Sequence, residues 1–148
     1  MTTRVGNVVA IIGYVVALGS LAALMWRYEL LAYTPMLIVI QVLAVILVVW
    51  ARVAFGFRSF YLAARPTKGT LVTTGPYRFW RHPIYAGIIF FIWAGVADYW
   101  SARTAFLAVA LTVGLFARMF AEERLLGAQY EGYAQYAAGT KRLVPWVI

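Results

Sequence analysis

From Val5 to Met25 the chain runs without a charged side chain, and from Met36 to Ala51 it does so again. A helix of twenty-one residues is about 31 Å long, close to the roughly 30 Å hydrocarbon thickness of a bilayer. Two further apolar segments follow, Pro83 to Ala97 and Thr104 to Phe120. Uncharged runs of this length read as spanning helices, whose backbone polar groups are satisfied within the segment. The whole chain of 148 residues is 64% hydrophobic and 12% charged, with a mean hydropathy of +0.80. A soluble protein of this size could not cover so much apolar surface. The reading is an all-α integral membrane protein of about four transmembrane helices, with a C-terminal helical hairpin and a short amphipathic tail helix. It is one membrane domain over 1–148, made of an N-terminal helical pair (1–57) and a C-terminal core (58–148).

The first segment is too long for the apolar core of a signal peptide and reads as an uncleaved span. Trp26, Tyr28 and Tyr33 mark its interface, and Pro35 suits the first turn of the next helix. Residues 52–74 carry Phe55, Phe57, Phe60 and Tyr61 among arginines and read as an interfacial helix or a solvated basic linker. Asp98 to Ser101 forms a turn with Ser101 as N-cap, so the third and fourth segments make a tight antiparallel hairpin. The fourth helix should continue past Glu122 and Glu123 to a stop at Gly127. Ala128 to Ala138 reads as a short amphipathic helix with Tyr130, Tyr133 and Tyr136 on one face.

The net charge of +8 has a plain explanation in a membrane protein. Putting both termini on the cytoplasmic side places eleven of the thirteen Lys and Arg residues there. The basic excess then meets anionic headgroups rather than nucleic acid. The expected location is the inner or plasma membrane, multi-pass. The absence of cysteine excludes disulfides and thiolate chemistry, and one histidine with five acids leaves little from which to build a metal site.

The polar residues concentrate at one boundary. Gly75-Pro-Tyr-Arg-Phe-Trp-Arg-His-Pro-Ile-Tyr-Ala-Gly87 holds two arginines and the chain's only histidine. Pro83 keeps His82 out of the helical region and begins the third helix, so Arg78, Arg81 and His82 crowd a helix N-terminus that favours anions. Arginines beside a membrane span are commonly topology signals, but that does not account for a histidine fixed between Arg81 and Pro83. The hairpin brings Arg118, Glu122 and Glu123 opposite this corner, with His82 and Glu122 about 7 Å apart in depth. Glu122 could equally pair with Arg118 on its own helix. A cationic corner facing two carboxylates suits a zwitterionic ligand, and nearby aromatic faces could hold a cation.

These two stretches, the second reading EERLLGAQYEGYAQYAAGTKRLVP from Glu122 to Pro145, resemble the isoprenylcysteine carboxyl methyltransferase and phospholipid methyltransferase superfamily. The shared pattern is Gly-Pro-Tyr, Arg-His-Pro-x-Tyr-x-Gly, Glu-Glu, spaced tyrosines and a late Arg before Pro, over residues 75–145. The Phe-Gly usual before the first spaced tyrosine is absent; Gly127-Ala-Gln-Tyr130 stands there. The resemblance implies a membrane enzyme that uses S-adenosylmethionine and a lipophilic small-molecule acceptor or membrane lipid reached from the bilayer. It implies that His82, Tyr85, Gly87 and Glu122 line the cofactor site, supported by Arg78 and Arg81 and edged by Arg118. Glu123 and Arg142 would lie nearer the reacting methyl. No Gly-x-Gly occurs, so a Rossmann-type nucleotide loop is excluded. Two other readings remain open from the sequence, a four-helix transporter and a non-catalytic scaffold. No acid lies inside an apolar segment, which argues against an ion-coupled transporter.

Overall fold

Length and apolarity do produce helices where expected. The computed structural model of the chain describes residues 2–27, 29–56 and 71–143. Four long helices run as α1 (Thr2–Trp26), α2 (Pro35–Phe55), α3 (Pro83–Asp98) and α4 (Ala102–Gln129), followed by the short α5 (Tyr133–Gly139). The spans Val8–Trp26, Pro35–Phe55 and Ala102–Gln129 are long and apolar enough to cross a membrane, and α3 is a shorter apolar helix. A 3-10 turn, Gly75–Arg78, opens the loop before α3.

Local chemistry sets the helix starts. Pro35 and Pro83 each occupy the first turn of their helix. Ser101 accepts a hydrogen bond from the Thr104 N–H at 3.1 Å while the Thr104 hydroxyl accepts from the Ser101 N–H at 2.9 Å, closing a reciprocal cap. The ends differ from expectation. α2 continues past Ala51 to Phe55. α4 passes through Gly127 and ends at Gln129, with Tyr130 as its cap. One glycine costs a helix only about 1 kcal/mol, too little to stop one that is packed elsewhere. The tail helix therefore starts at Tyr133, not Ala128, and Tyr130 lies outside it. The interfacial helix expected within 52–74 falls largely on 57–70, outside the described residues; 71–74 carries no helix.

Packing pairs the helices in a way that connectivity does not. α1 lies along α4 and α2 along α3, while α3 and α4 touch over a shorter stretch. The chain-order hairpin is present, but it is not the tight packing unit expected. The main core joins α1, α3 and α4 through Ala17, Leu24, Ile92, Val96, Ala108, Leu111 and Leu115. A smaller core of Ala86, Met119 and Leu143 sits beneath the polar end of the bundle, tying the tail to α3 and α4. The outer surface of α2 is exposed along Val39, Val42, Leu43, Ile46 and Val49, as a lipid-facing helix requires.

Candidate active site

At the end of the bundle where α3 begins and α4 finishes, the loop before α3, the last turns of α4 and the segment after α5 meet. The proline after it holds His82 at φ −127° and ψ 58°, outside the helix, while its carbonyl accepts the Ala86 N–H at 3.0 Å. The imidazole is buried, 7% exposed, and stacks on the Tyr85 ring with centroids 5.5 Å apart and planes 13° from parallel.

The segment after α5 is fastened to this loop by backbone bonds. The Lys141 N–H donates to the Phe79 carbonyl at 3.1 Å, the Arg81 N–H to the Lys141 carbonyl at 2.7 Å and the His82 N–H to the Arg142 carbonyl at 3.1 Å. Tyr136 adds a bond from its hydroxyl to the Tyr77 carbonyl at 2.8 Å. Arg142 is thereby delivered to the same place as His82.

The two carboxylates of α4 take separate partners. Successive residues on a helix point about 100° apart, so Glu122 and Glu123 cannot share one face. Glu122 Oε1 accepts from the Tyr85 hydroxyl at 2.7 Å and from Arg118 Nε at 2.9 Å. Arg118 Nε also reaches the Tyr85 oxygen at 2.9 Å, and its guanidinium carbon stands 4.5 Å from the centre of the Tyr14 ring on α1. Glu123 gathers the other basic groups: Arg142 Nε at 3.0 Å from Oε2, His82 Nε2 at 3.3 Å and Arg81 Nε at 3.5 Å from Oε1. The Arg142 guanidinium also lies 5.3 Å from the Phe120 ring centre.

Buried polar atoms almost always have hydrogen-bond partners. Among the described residues, Trp80 Nε1, Arg81 Nε and the Tyr133 hydroxyl are buried without one, and all three belong to the elements that build this corner. Arg81 approaches Glu123 without bonding geometry. It also lies near enough to Tyr133 to favour the ionised phenol, yet burial and then the Glu123 charge prevail and push the Tyr133 pKa up to about 12. Burial, reinforced by Tyr133, likewise raises Tyr136 to about 12. Both are neutral hydroxyls at ordinary pH.

Of the residues singled out in the sequence, Arg81, His82, Tyr85, Arg118, Glu122, Glu123 and Arg142 come together here. Two stand apart. Arg78 is exposed at the end of the 3-10 turn. Gly87 is buried against α2, where a Cβ would lie 2.5 Å from Val48 Cγ2 and 2.9 Å from the Ala44 carbonyl oxygen. His82 faces Glu123 rather than Glu122, one residue from the partner that depth alone gave. The sequence reading missed Tyr14. It is the one tyrosine in α1, and a ring in an apolar helix carries no sign of what lies opposite.

The family model of the phospholipid methyltransferases matches residues 31–132. The chain is also similar to the cobalt-zinc-cadmium resistance protein CzcN of Cupriavidus metallidurans, with 31% identity over 113 residues. That alignment covers 76% of this chain and 50% of the relative, so the chain spans about half the length of the curated relative it matches. No solved structure matches the chain.

Proposed function

The chain belongs to the phospholipid methyltransferase family, and we propose that it is a membrane-embedded S-adenosylmethionine-dependent methyltransferase acting on a small lipophilic acceptor at the cytoplasmic leaflet. The observation that carries this reading is the convergence of four basic side chains and two carboxylates on one partly buried corner, with polar atoms there left unbonded.

The donor set fits the cofactor. An amino acid tail carries both charges, and the corner offers both: the guanidinium groups of Arg81, Arg118 and Arg142, and Glu122 and Glu123 as acceptors. Arg81 Nε and the Tyr133 hydroxyl are donors in need of an acceptor. His82, Tyr85, Arg118 and Glu122 hold the cofactor, with Arg81 beside them. Arg78 and Gly87 act from outside the corner, Arg78 as an exposed charge at the end of the 3-10 turn and Gly87 by letting α3 pack closely on α2. S-adenosylmethionine supplies an electrophilic methyl group on a sulfonium sulfur.

The protein's own part is alignment and exclusion of water, since an in-line displacement needs no covalent enzyme intermediate. Arg142 orients an acceptor carboxylate by a paired contact. Where the acceptor is an amine or thiol, Glu123 takes its proton. The acceptor class is an isoprenoid-like carboxylate, a thiol or an amine lipid, entering from the bilayer. Both termini lie on the cytoplasmic side by the distribution of Lys and Arg. The Cupriavidus protein is named for metal resistance; among the described residues no three His, Cys, Asp or Glu side chains gather as a metal site.

Calorimetry in detergent with S-adenosylhomocysteine tests the cofactor half. Wild-type protein binds it, and His82→Ala weakens binding about tenfold, the loss of one bond to a charged group. No binding, or binding indifferent to His82→Ala, removes the proposal. Methyl-labelled cofactor incubated with protein and native lipid extract, read by mass spectrometry, identifies the acceptor.

A further inference from the structure

Arg118 is the one basic residue in the corner that lies deep along α4, and it is 8% exposed. Its Nε is committed to Glu122 and Tyr85. One flat face of its guanidinium is covered by Tyr14, 4.5 Å from cation to ring centre. Tyr14 comes from α1, and the family match begins only at residue 31, so this helix stands outside it.

The crossing of α1 and α4 explains how Tyr14 arrives there. Gly13 and Gly114 face each other where the two helices cross, and a Cβ on Gly13 would lie 2.5 Å from the Gly114 carbonyl oxygen. Small residues at such a crossing let the backbones approach and fix the register of one helix on the other. Tyr14 is the next residue after this contact, and Arg118 is one helical turn beyond Gly114. The register that the glycines impose therefore sets the ring against the guanidinium.

We propose that Tyr14 is a positioning residue of the cofactor site: its ring face holds the Arg118 guanidinium in the orientation that presents Nε to Glu122 and Tyr85. This rests on the methyltransferase reading above. A guanidinium over an aromatic face is attracted by the ring quadrupole, more strongly where water is excluded. With Nε directed to one side by the ring, Glu122 and the Tyr85 hydroxyl stay in place for a ligand. Without it, one of the contacts that order the arginine is gone, and the ligand must bear more of the cost of ordering it.

The test is S-adenosylhomocysteine affinity by calorimetry in detergent for wild type, Tyr14→Phe, Tyr14→Leu and a chain with trifluorophenylalanine at position 14. Fluorination keeps the size of the ring but removes the negative charge of its face, so it changes the cation contact and not the packing. Tyr14→Phe binds within about twofold of wild type, while Tyr14→Leu and the fluorinated ring each bind about fivefold more weakly. A fluorinated variant as tight as Tyr14→Phe overturns the proposal, whatever Tyr14→Leu does to folding. If wild type itself does not bind, the methyltransferase reading falls and takes this inference with it. If wild type binds and the four chains agree, only the role of Tyr14 falls.

Discussion

The two ends of the helix bundle both carry polar side chains, and they use them in opposite ways. At the Asp98 end the partners are mostly backbone. Asp98 accepts the Tyr33 and Thr34 N–H groups at 2.6 and 2.8 Å and the Thr34 hydroxyl at 2.5 Å, closing the start of α2 from the end of α3. Buried Gln41 accepts the Ala32 N–H at 3.0 Å and donates to the Leu30 and Phe91 carbonyls at 2.8 and 3.1 Å. Arg103 pairs with Glu29 across the same loops. Asp98 and Gln41 thereby close a helix start and a turn that would otherwise be left open. At the His82 end the charged side chains bond chiefly to one another, and among the described residues Trp80 Nε1, Arg81 Nε and the Tyr133 hydroxyl remain unbonded. One end is complete in itself. The other has the composition of a surface meant to meet a ligand.

This contrast can be broken most forcefully at Glu123. The substitution Glu123→Gln leaves Arg81, His82 and Arg142 around a neutral amide. Methyl transfer per folded protein should fall about a hundredfold, as expected when reacting groups lose their alignment, and the thermal midpoint should drop as well because three basic groups lose a buried counter-charge. Measured turnover with labelled cofactor decides it; turnover near wild type would make this end structural as well.

Gln41→Leu asks the converse question. It leaves the Ala32 N–H and two carbonyls without their partner and should cost about 1–2 kcal/mol in stability, read from the detergent unfolding transition. Cofactor affinity should not change, because Gln41 lies at the opposite end of the bundle. A change in affinity would show that the two ends are coupled.

Tyr133→Phe is the smallest and the most discriminating. A buried hydroxyl with no hydrogen bond gives the fold nothing, so its removal should leave the unfolding transition in place or raise it slightly. Affinity for S-adenosylhomocysteine should drop about threefold if the hydroxyl finds its acceptor in the ligand. A lower thermal midpoint with unchanged affinity would move Tyr133 to the structural side of the comparison.

The helices were legible in the sequence because apolar length, proline and a Ser-Thr cap are local signals, and α1 to α4 start within a few residues of where those signals fall. Which helix lies on which was not legible. α2 is apolar nearly all round, so no stripe marks the side that meets α3. The pairing of α1 with α4 depends on Gly13 meeting Gly114, and either glycine alone reads as one of twelve. The content of the candidate site was readable for the same reason the spans were: charged side chains are rare here and most of them fall at one boundary. Its wiring was not. Counting residues from the turn gives depth along α3 and α4 but not rotation about their axes, and rotation decides that Glu122 goes to Tyr85 while Glu123 goes to His82. Gly127 misled because the helix-stopping tendency of glycine is weak against residues that continue the coil on both sides.

The parallel pairing of Trp80 with Lys141 has a consequence for synthesis. Arg142 reaches Glu123 only through that junction, far along the chain from the loop it fastens to. A ribosome must therefore release all four hydrophobic helices into the bilayer before this charge can arrive. Until then no partly made chain owns a finished corner, and a product truncated before that arginine lacks this partner of Glu123 however well its helices have inserted.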